Sequence, residues 1–237
     1  MSSVVANILI GLITSLISGT SVWAWQRAKL ARVWRRQRAF FGISPGQTCL
    51  IILSHRYDSP WVTSRYDVYA LLEAAALVDQ MRGQIGFEAV TEIRGTNGNR
   101  TEFCIGGPQA NERSAGHLAH NLPGVTFRPF SDGPDALGLV VGAREFLWVR
   151  GEREYAVVAK FTPRGASSPV FLICGQVANA NRAAVHFLKH HYQELLKTLP
   201  SVDRFCLIVR VSAPSVYGHE LVELERDVTA EAFATGT

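Results

Sequence analysis

The chain has 237 residues, 47% of them hydrophobic, 10% aromatic and 19% charged, and a formal net charge of +4. That composition excludes a disordered or fibrous protein and leaves room for one ordinary globular domain with a substantial core. It also argues against a basic nucleic-acid footprint: Arg27, Lys29, Arg32, Arg35, Arg36 and Arg38 lie together without an acid, so residues 39–237 carry −2.

The chain opens on an apolar stretch, "VVANILIGLITSLISGTSVWAW", residues 4 to 25, with no charged side chain and with Trp23 and Trp25 at its far end. About 20 helical residues at 1.5 Å each cross a hydrocarbon core of about 30 Å, and indole rings favour the interface, so this reads as one transmembrane helix. A cleaved signal peptide is the rival, but only Met1, Ser2 and Ser3 precede the apolar run where a basic segment belongs. The six basic groups that follow predict, by the positive-inside rule, an amino terminus outside and a cytosolic remainder, and they can attract anionic lipid headgroups. The expected organisation is therefore an anchor and juxtamembrane segment over 1–38, touching lipid through residues 4–38, and a cytosolic domain over 39–237.

From residue 49 short apolar runs alternate with helix-period segments, the pattern of an α/β, Rossmann-like, mostly parallel sheet with flanking helices. "CLIILS" (49–54) reads as a strand buried on both faces. In the helix expected over 64–82, Val68, Leu71, Leu72, Ala75 and Val78 form one stripe, with Ser64 or Asp67 as its cap. Strands follow at 87–93 and 101–107, then a helix over 112–120 stopped by Asn121, Pro123 and Gly124. Residues 125–163 read as strands only, an antiparallel extension in which the Gly151 turn joins the last two as a hairpin. "VFLICG", a long helix over 181–199 and "RFCLIVRVS" resume the alternation, and "HELVELERDV" fits an edge strand or a short helix.

Cys49, Cys104, Cys174 and Cys206 each sit in an apolar run and none forms a C-x-x-C pair, which fits buried reduced thiols. The sequon at Asn99 should stay unmodified in a cytosolic domain.

One design occurs twice. "FCIGGPQANERSAGHL" and, about 70 residues later, "FLICGQVANANRAAVHFL" each run from a strand through glycine to Ala-Asn and a helix bearing Arg and then His. A glycine-ended strand brings unhindered backbone N–H groups to a helix amino terminus, whose partial positive charge favours an anion such as phosphate. Two such elements at the carboxyl edge of a parallel sheet would frame one crevice. The candidate ligand-binding residues are Gly106, Gly107, Asn111, Arg113, Gly175, Asn179 and Arg182. Arg113 and Arg182 are singled out because a cation at a helix start is unfavourable unless an anion sits nearby. Ordinary turn chemistry produces the same pattern without a ligand. Neither a P-loop nor G-x-G-x-x-G is present, which disfavours a standard NTPase or dinucleotide enzyme, and no cofactor is implied.

The strand ending in Gly106-Gly107-Pro108 before a helix, with the second glycine loop later, resembles the Rossmann-like nucleotide-ligand sensor domains of bacterial conflict systems, including the group similar to lysine-decarboxylase-like (LOG) phosphoribohydrolases. The resemblance covers about residues 49–120 and 165–212 and implies recognition of a nucleotide-derived ligand. Those enzymes carry glycine and threonine and then a catalytic glutamate after the first pair; here Pro108, Gln109, Ala110 and Asn111 intervene, and Glu112 is displaced by one position.

His117 with His120 and His186 with His190 put two imidazoles on one helix face, but neither pair has a carboxylate at metal-site spacing, so no metal is expected. Asp58 and Asp67 are placed to reach the crevice or to serve as turn and cap residues. No nucleophile motif is present, so catalytic residues stay unassigned. Three readings follow: a membrane-anchored sensor or signalling domain for a nucleotide-like ligand, a nucleotide or nucleoside-phosphate hydrolase with Glu112 as acid/base, and a ligand-free interaction module. A homo-oligomer is compatible with each.

Overall fold

A computed structural model describes residues 2–56, 59, 61–89, 98–131 and 133–234. The chain divides into two compact units, Met1–Ala39 and Phe40–Thr237. The first is helix α1 (Ser2–Phe41), whose last two residues belong to the second unit. The apolar stretch and the basic segment form one uninterrupted helix, and this is the helix among the described residues that is long and apolar enough to cross a membrane.

The second unit is a mixed α/β domain. In chain order it runs β1 (Thr48–Leu53), α2 (Arg65–Gln80), β2 (Gln84–Ala89), β3 (Glu102–Ile105), α3 (Glu112–Asn121), β4 (Val125–Phe127), β5 (Leu139–Val141), β6 (Arg144–Phe146) and β7 (Arg153–Phe161). It continues with β8 (Val170–Gly175), α4 (Ala178–Thr198), β9 (Phe205–Ser212), α5 (Pro214–Tyr217), β10 (Val222–Asp227) and α6 (Thr229–Ala232). Seven strands make one sheet in the order β10-β9-β7-β8-β3-β1-β2, while β4, β5 and β6 form a separate antiparallel sheet. Within the large sheet β2, β1, β3 and β8 are parallel neighbours; β7 opposes both β8 and β9, and β10 opposes β9. Five of the seven strands thus run the same way.

The strongest departure from the sequence reading is β7. The hairpin expected at Gly151 is reduced to a bridge between Val149 and Arg153, and β7 instead inserts between β8 and β9. Eight of its nine residues, all but Arg153, are buried, so it needs cover on both faces and on both edges, which only the centre of the large sheet supplies. Residues 222–227 resolve as an edge strand, β10. In α2 the inward face is Asp67, Ala70, Ala74, Leu77 and Val78, while Val68 and Leu72, placed inside by the sequence reading, are exposed. Small alanines let α2 lie close to its neighbours, and Ser64, not Asp67, caps the helix by accepting from Tyr66 N–H. The second strand begins earlier than expected, at Gln84; its expected end at residues 90–93 lies outside the described residues, as does Asp58.

Two apolar layers cover the sheet. One joins α2, α4 and the inward residues Ile51, Phe103, Phe171 and Ile173 to Phe40 and Phe41; Phe103 and Phe171 stack there at 5.0 Å. The other face carries Leu118 and Leu122 from the end of α3, and the small sheet. The chain therefore leaves β1 for a helix on one face and leaves the adjacent β3 for a helix on the other. That divergence opens a crevice beyond the carboxyl ends of β1 and β3, the position at which open α/β sheets hold ligands.

Candidate functional site

β1 and β3 end level, at Leu53 and Ile105, and their neighbour β8 runs two residues further, to Gly175. Ser54 N–H donates to Ile105 O, and Gly106 N–H donates to Ile173 O, each extending the ladder by one residue past the strand ends. The two glycine turns meet here: a methyl group built on Gly107 would lie 3.2 Å from Gly175 O, and the Cys174 thiol donates to Gly106 O at 3.3 Å. Burial pushes the Cys174 thiol up to about 12, so it stays protonated.

Between the turns lies a cavity of about 310 Å³. That is at the small end of the range of about 300–1,000 Å³ typical of small-molecule sites. Its most buried lining groups are Ser54, Asp67 and Asn181. Asn181 Oδ1 accepts from Gly175 N–H at 2.6 Å, which leaves its Nδ2 to donate to Asp67 Oδ1 at 2.8 Å; Ser54 Oγ donates to Asp67 Oδ2 at 2.9 Å. One network therefore ties β1, α2, the second glycine turn and α4 together. Gly107 to Ala110 and Gly175 to Ala178 line the cavity from the two turns, and Phe127, Phe130 and Trp148 come from around the small sheet. The Trp148 Nε1–H is buried without a hydrogen-bond partner.

The two helix starts differ. Asn111 caps α3, its Oδ1 accepting from Arg113 and Ser114 N–H while its Nδ2 donates to Ile105 O. No side chain caps α4, whose Val177 and Ala178 line the cavity, so its amino-terminal dipole faces the space directly.

Of the residues singled out in sequence, Gly107 and Gly175 line the cavity and Gly106 supports it. The others have different work. Arg113 forms a two-pronged pair with Glu102, Nε to Oε1 at 3.0 Å and Nη2 to Oε2 at 2.6 Å, and Glu102 also receives His117 Nε2 at 2.8 Å. Asn179 donates to Glu154 Oε2 and Gly218 O, and Arg182 lies with its guanidinium 4.6 Å over the Tyr69 ring. Asn111, Arg113, Asn179 and Arg182, expected to face a ligand, do not line the cavity: the first three hydrogen-bond to groups of the fold, and Arg182 packs on Tyr69 with its Nε–H buried and unpartnered. An arginine at a helix start is explained by a buried glutamate as well as by an anion. The residues sequence reasoning missed are Ser54, Trp148 and Asn181; an indole in a strand-only extension and an asparagine inside a helix were the available signals.

Asp67 is the electrostatic anomaly of the cavity. Burial pushes its carboxyl from an ordinary 3.8 up to about 6, against the opposing hydrogen bonds from Asn181 and Ser54. Because the folded value exceeds the unfolded one, the folded state holds this proton more tightly; the associated stability is complete below about pH 4 and is lost as pH rises through about 6. Asp67→Asn removes the charge; its one side-chain oxygen still accepts from Asn181, and its Nδ2 donates to the Ser54 hydroxyl oxygen, which turns to accept. The variant is expected to be more stable than the wild type at pH 7.5 by on the order of 3 kcal/mol, a gain that disappears below pH 4. Unfolding midpoints of both proteins from pH 4 to 8 check this; parallel pH profiles would contradict it.

At the rim His55 lies between Arg56 O, 2.6 Å from its Nδ1, and Glu112 Oε1, 3.4 Å from its Nε2. The Arg56 carbonyl, with Glu112, raises the imidazole above its ordinary value despite burial. Neither a protein-family model nor a curated protein matches this sequence.

Proposed function

We propose that residues 39–237 bind a nucleotide-derived or other phosphorylated small molecule in this crevice, and that the chain is a single-pass membrane protein with its amino terminus outside and this domain in the cytoplasm, acting as a sensor or signalling component. The observation that carries the reading is the coincidence, in one cavity, of the uncapped start of α4, two adjacent glycine turns and the Asp67–Asn181–Ser54 network. The helix start suits a phosphate, the aromatic wall suits a base or sugar face, and Asp67 accepts from a hydroxyl or ring N–H. The resemblance to nucleotide-ligand sensor domains points the same way.

The test is a thermal-shift screen of the full chain in detergent against mononucleotides, cyclic nucleotides and ADP-ribose derivatives. A ligand present at about 100 times its Kd stabilises the folded state by about 2.7 kcal/mol. At least one of these classes is expected to raise the melting temperature, and Trp148→Ala is expected to reduce that shift. No shift with any class would leave the interaction-module reading. The hydrolase reading rests on Glu112 beside His55 at the rim, a pair positioned to exchange a proton with a bound ester. It requires product formation that Glu112→Gln abolishes.

A further inference from the structure

A second cluster of chemistry-bearing groups lies on the outer side of the domain, where α2, α4 and the turn after α5 meet. Glu73 of α2 stands between two imidazoles: its Oε2 is 3.6 Å from His186 Nδ1 of α4, and its Oε1 is 3.7 Å from His219 Nε2. The ligand atoms of all three lie within 4.8 Å of one another. Neither approach is a hydrogen bond, and Glu73 Oε2 is buried with no hydrogen-bond partner. A buried carboxylate oxygen left unsatisfied beside two ring nitrogens costs free energy that a cation between the three would recover.

We propose that Glu73, His186 and His219 form a site for a divalent transition-metal ion, with zinc the best match. Two imidazoles and one carboxylate are the donor set that suits zinc, and three protein ligands leave a fourth position open. Tetrahedral zinc with bonds of about 2.0–2.1 Å sets its ligand atoms about 3.3 Å apart; the two Glu73 approaches use different oxygens, and one atom from each residue lies within 4.8 Å of the others, so small side-chain rotations must draw the three together around the ion.

A plain ion pair between Glu73 and a protonated histidine explains the cluster less well. Such a pair would draw one imidazole to charge-assisted hydrogen-bond distance, whereas both stand off at 3.6 and 3.7 Å. The other group of this kind among the described residues, Glu102, Cys104 and His117, is different: its carboxylate is already engaged by Arg113 and His117, and burial drives the Cys104 thiol well up. The sequence shows no metal motif because Glu73, His186 and His219 are far apart along the chain and belong to three elements.

The proposal stands independently of the nucleotide crevice. The test uses the full chain in detergent, without a polyhistidine tag and stripped with a chelator, titrated with Zn²⁺ by calorimetry and with Co²⁺ by visible absorption. One equivalent per chain is expected, with the intense absorption of four-coordinate Co²⁺. His186→Ala, His219→Ala and Glu73→Gln are each expected to weaken binding at least about 10–100-fold. His191→Ala, which removes a ring stacked on Phe187 and paired with Glu194, should leave it unchanged. Absence of stoichiometric uptake by the wild type overturns the proposal whatever the variants do. So does wild-type affinity in a folded His186→Ala/His219→Ala protein.

Discussion

Gly106→Ala is expected to lower the melting temperature by roughly 5–20 °C and to abolish ligand binding in the crevice. Gly106 sits at φ +125°, where a side chain is strained, and a methyl group there would lie 2.4 Å from Ser54 Cβ and 2.7 Å from Ser54 Oγ. Strain of about 1–3 kcal/mol and overpacking of about 1–3 kcal/mol add to a loss of about 2–6 kcal/mol. Any relaxation must push Ser54 away from Asp67, so the network at the base of the cavity breaks even in molecules that stay folded. Gly116 in α3 is the internal control, since a methyl group there meets nothing within 4 Å and should stabilise the helix by up to about 1 kcal/mol. Melting curves followed by circular dichroism check both; equal midpoints for Gly106→Ala and the wild type would show that the β1 and β3 ends are not held as described.

Arg113→Ala should cost about 3–5 kcal/mol of stability at neutral pH, because it strands a buried carboxylate. Glu102 is almost wholly inside the protein. Burial alone would raise its carboxyl, but the bonds from His117 and Arg113 together outweigh burial and hold it below its ordinary 4.5. A carboxyl with a lowered folded value contributes stability above its unfolded value and loses it as pH falls through the folded one. The gap between Arg113→Ala and the wild type is therefore widest at neutral pH and narrows in acid, where Glu102 takes up a proton. Denaturant unfolding at pH 7 and pH 4 measures it; a gap that does not change with pH would mean that Glu102 is not the group left exposed to the loss. Whatever fraction of the variant remains folded should bind a crevice ligand with unchanged affinity, since Arg113 does not line the cavity. That outcome reverses the role its position in the sequence suggests.

The alternation of strands and helices, the apolar first helix and the presence of two glycine turns at strand ends were all legible in the residues. Each is a local property: hydrophobic period, span length, and glycine where a strand must yield to a turn. The side chains of the site were less so. Asn111, Arg113, Asn179 and Arg182 carry the right chemistry at the right offset, yet hydrogen-bonding capacity does not say which partner will be nearest, and in each case a group of the fold is. Asp67 reads equally as a helix cap until Ser64 is seen to hold that position.

By itself, the sequence determined an apolar helix with a basic flank, a domain of net charge −2, and a sheet with glycine turns at two of its strand ends. Only the tertiary structure decided that β7 runs through the middle of the sheet, that aromatic residues from the small sheet close one wall of the crevice, and that Glu73, His186 and His219 converge. The physical reason is the same for all three. Composition and periodicity report whether a residue seeks water or the core, whereas pairing edges, cavity walls and ligand sets are formed by segments far apart in the chain, and their juxtaposition exists only once the whole core has packed.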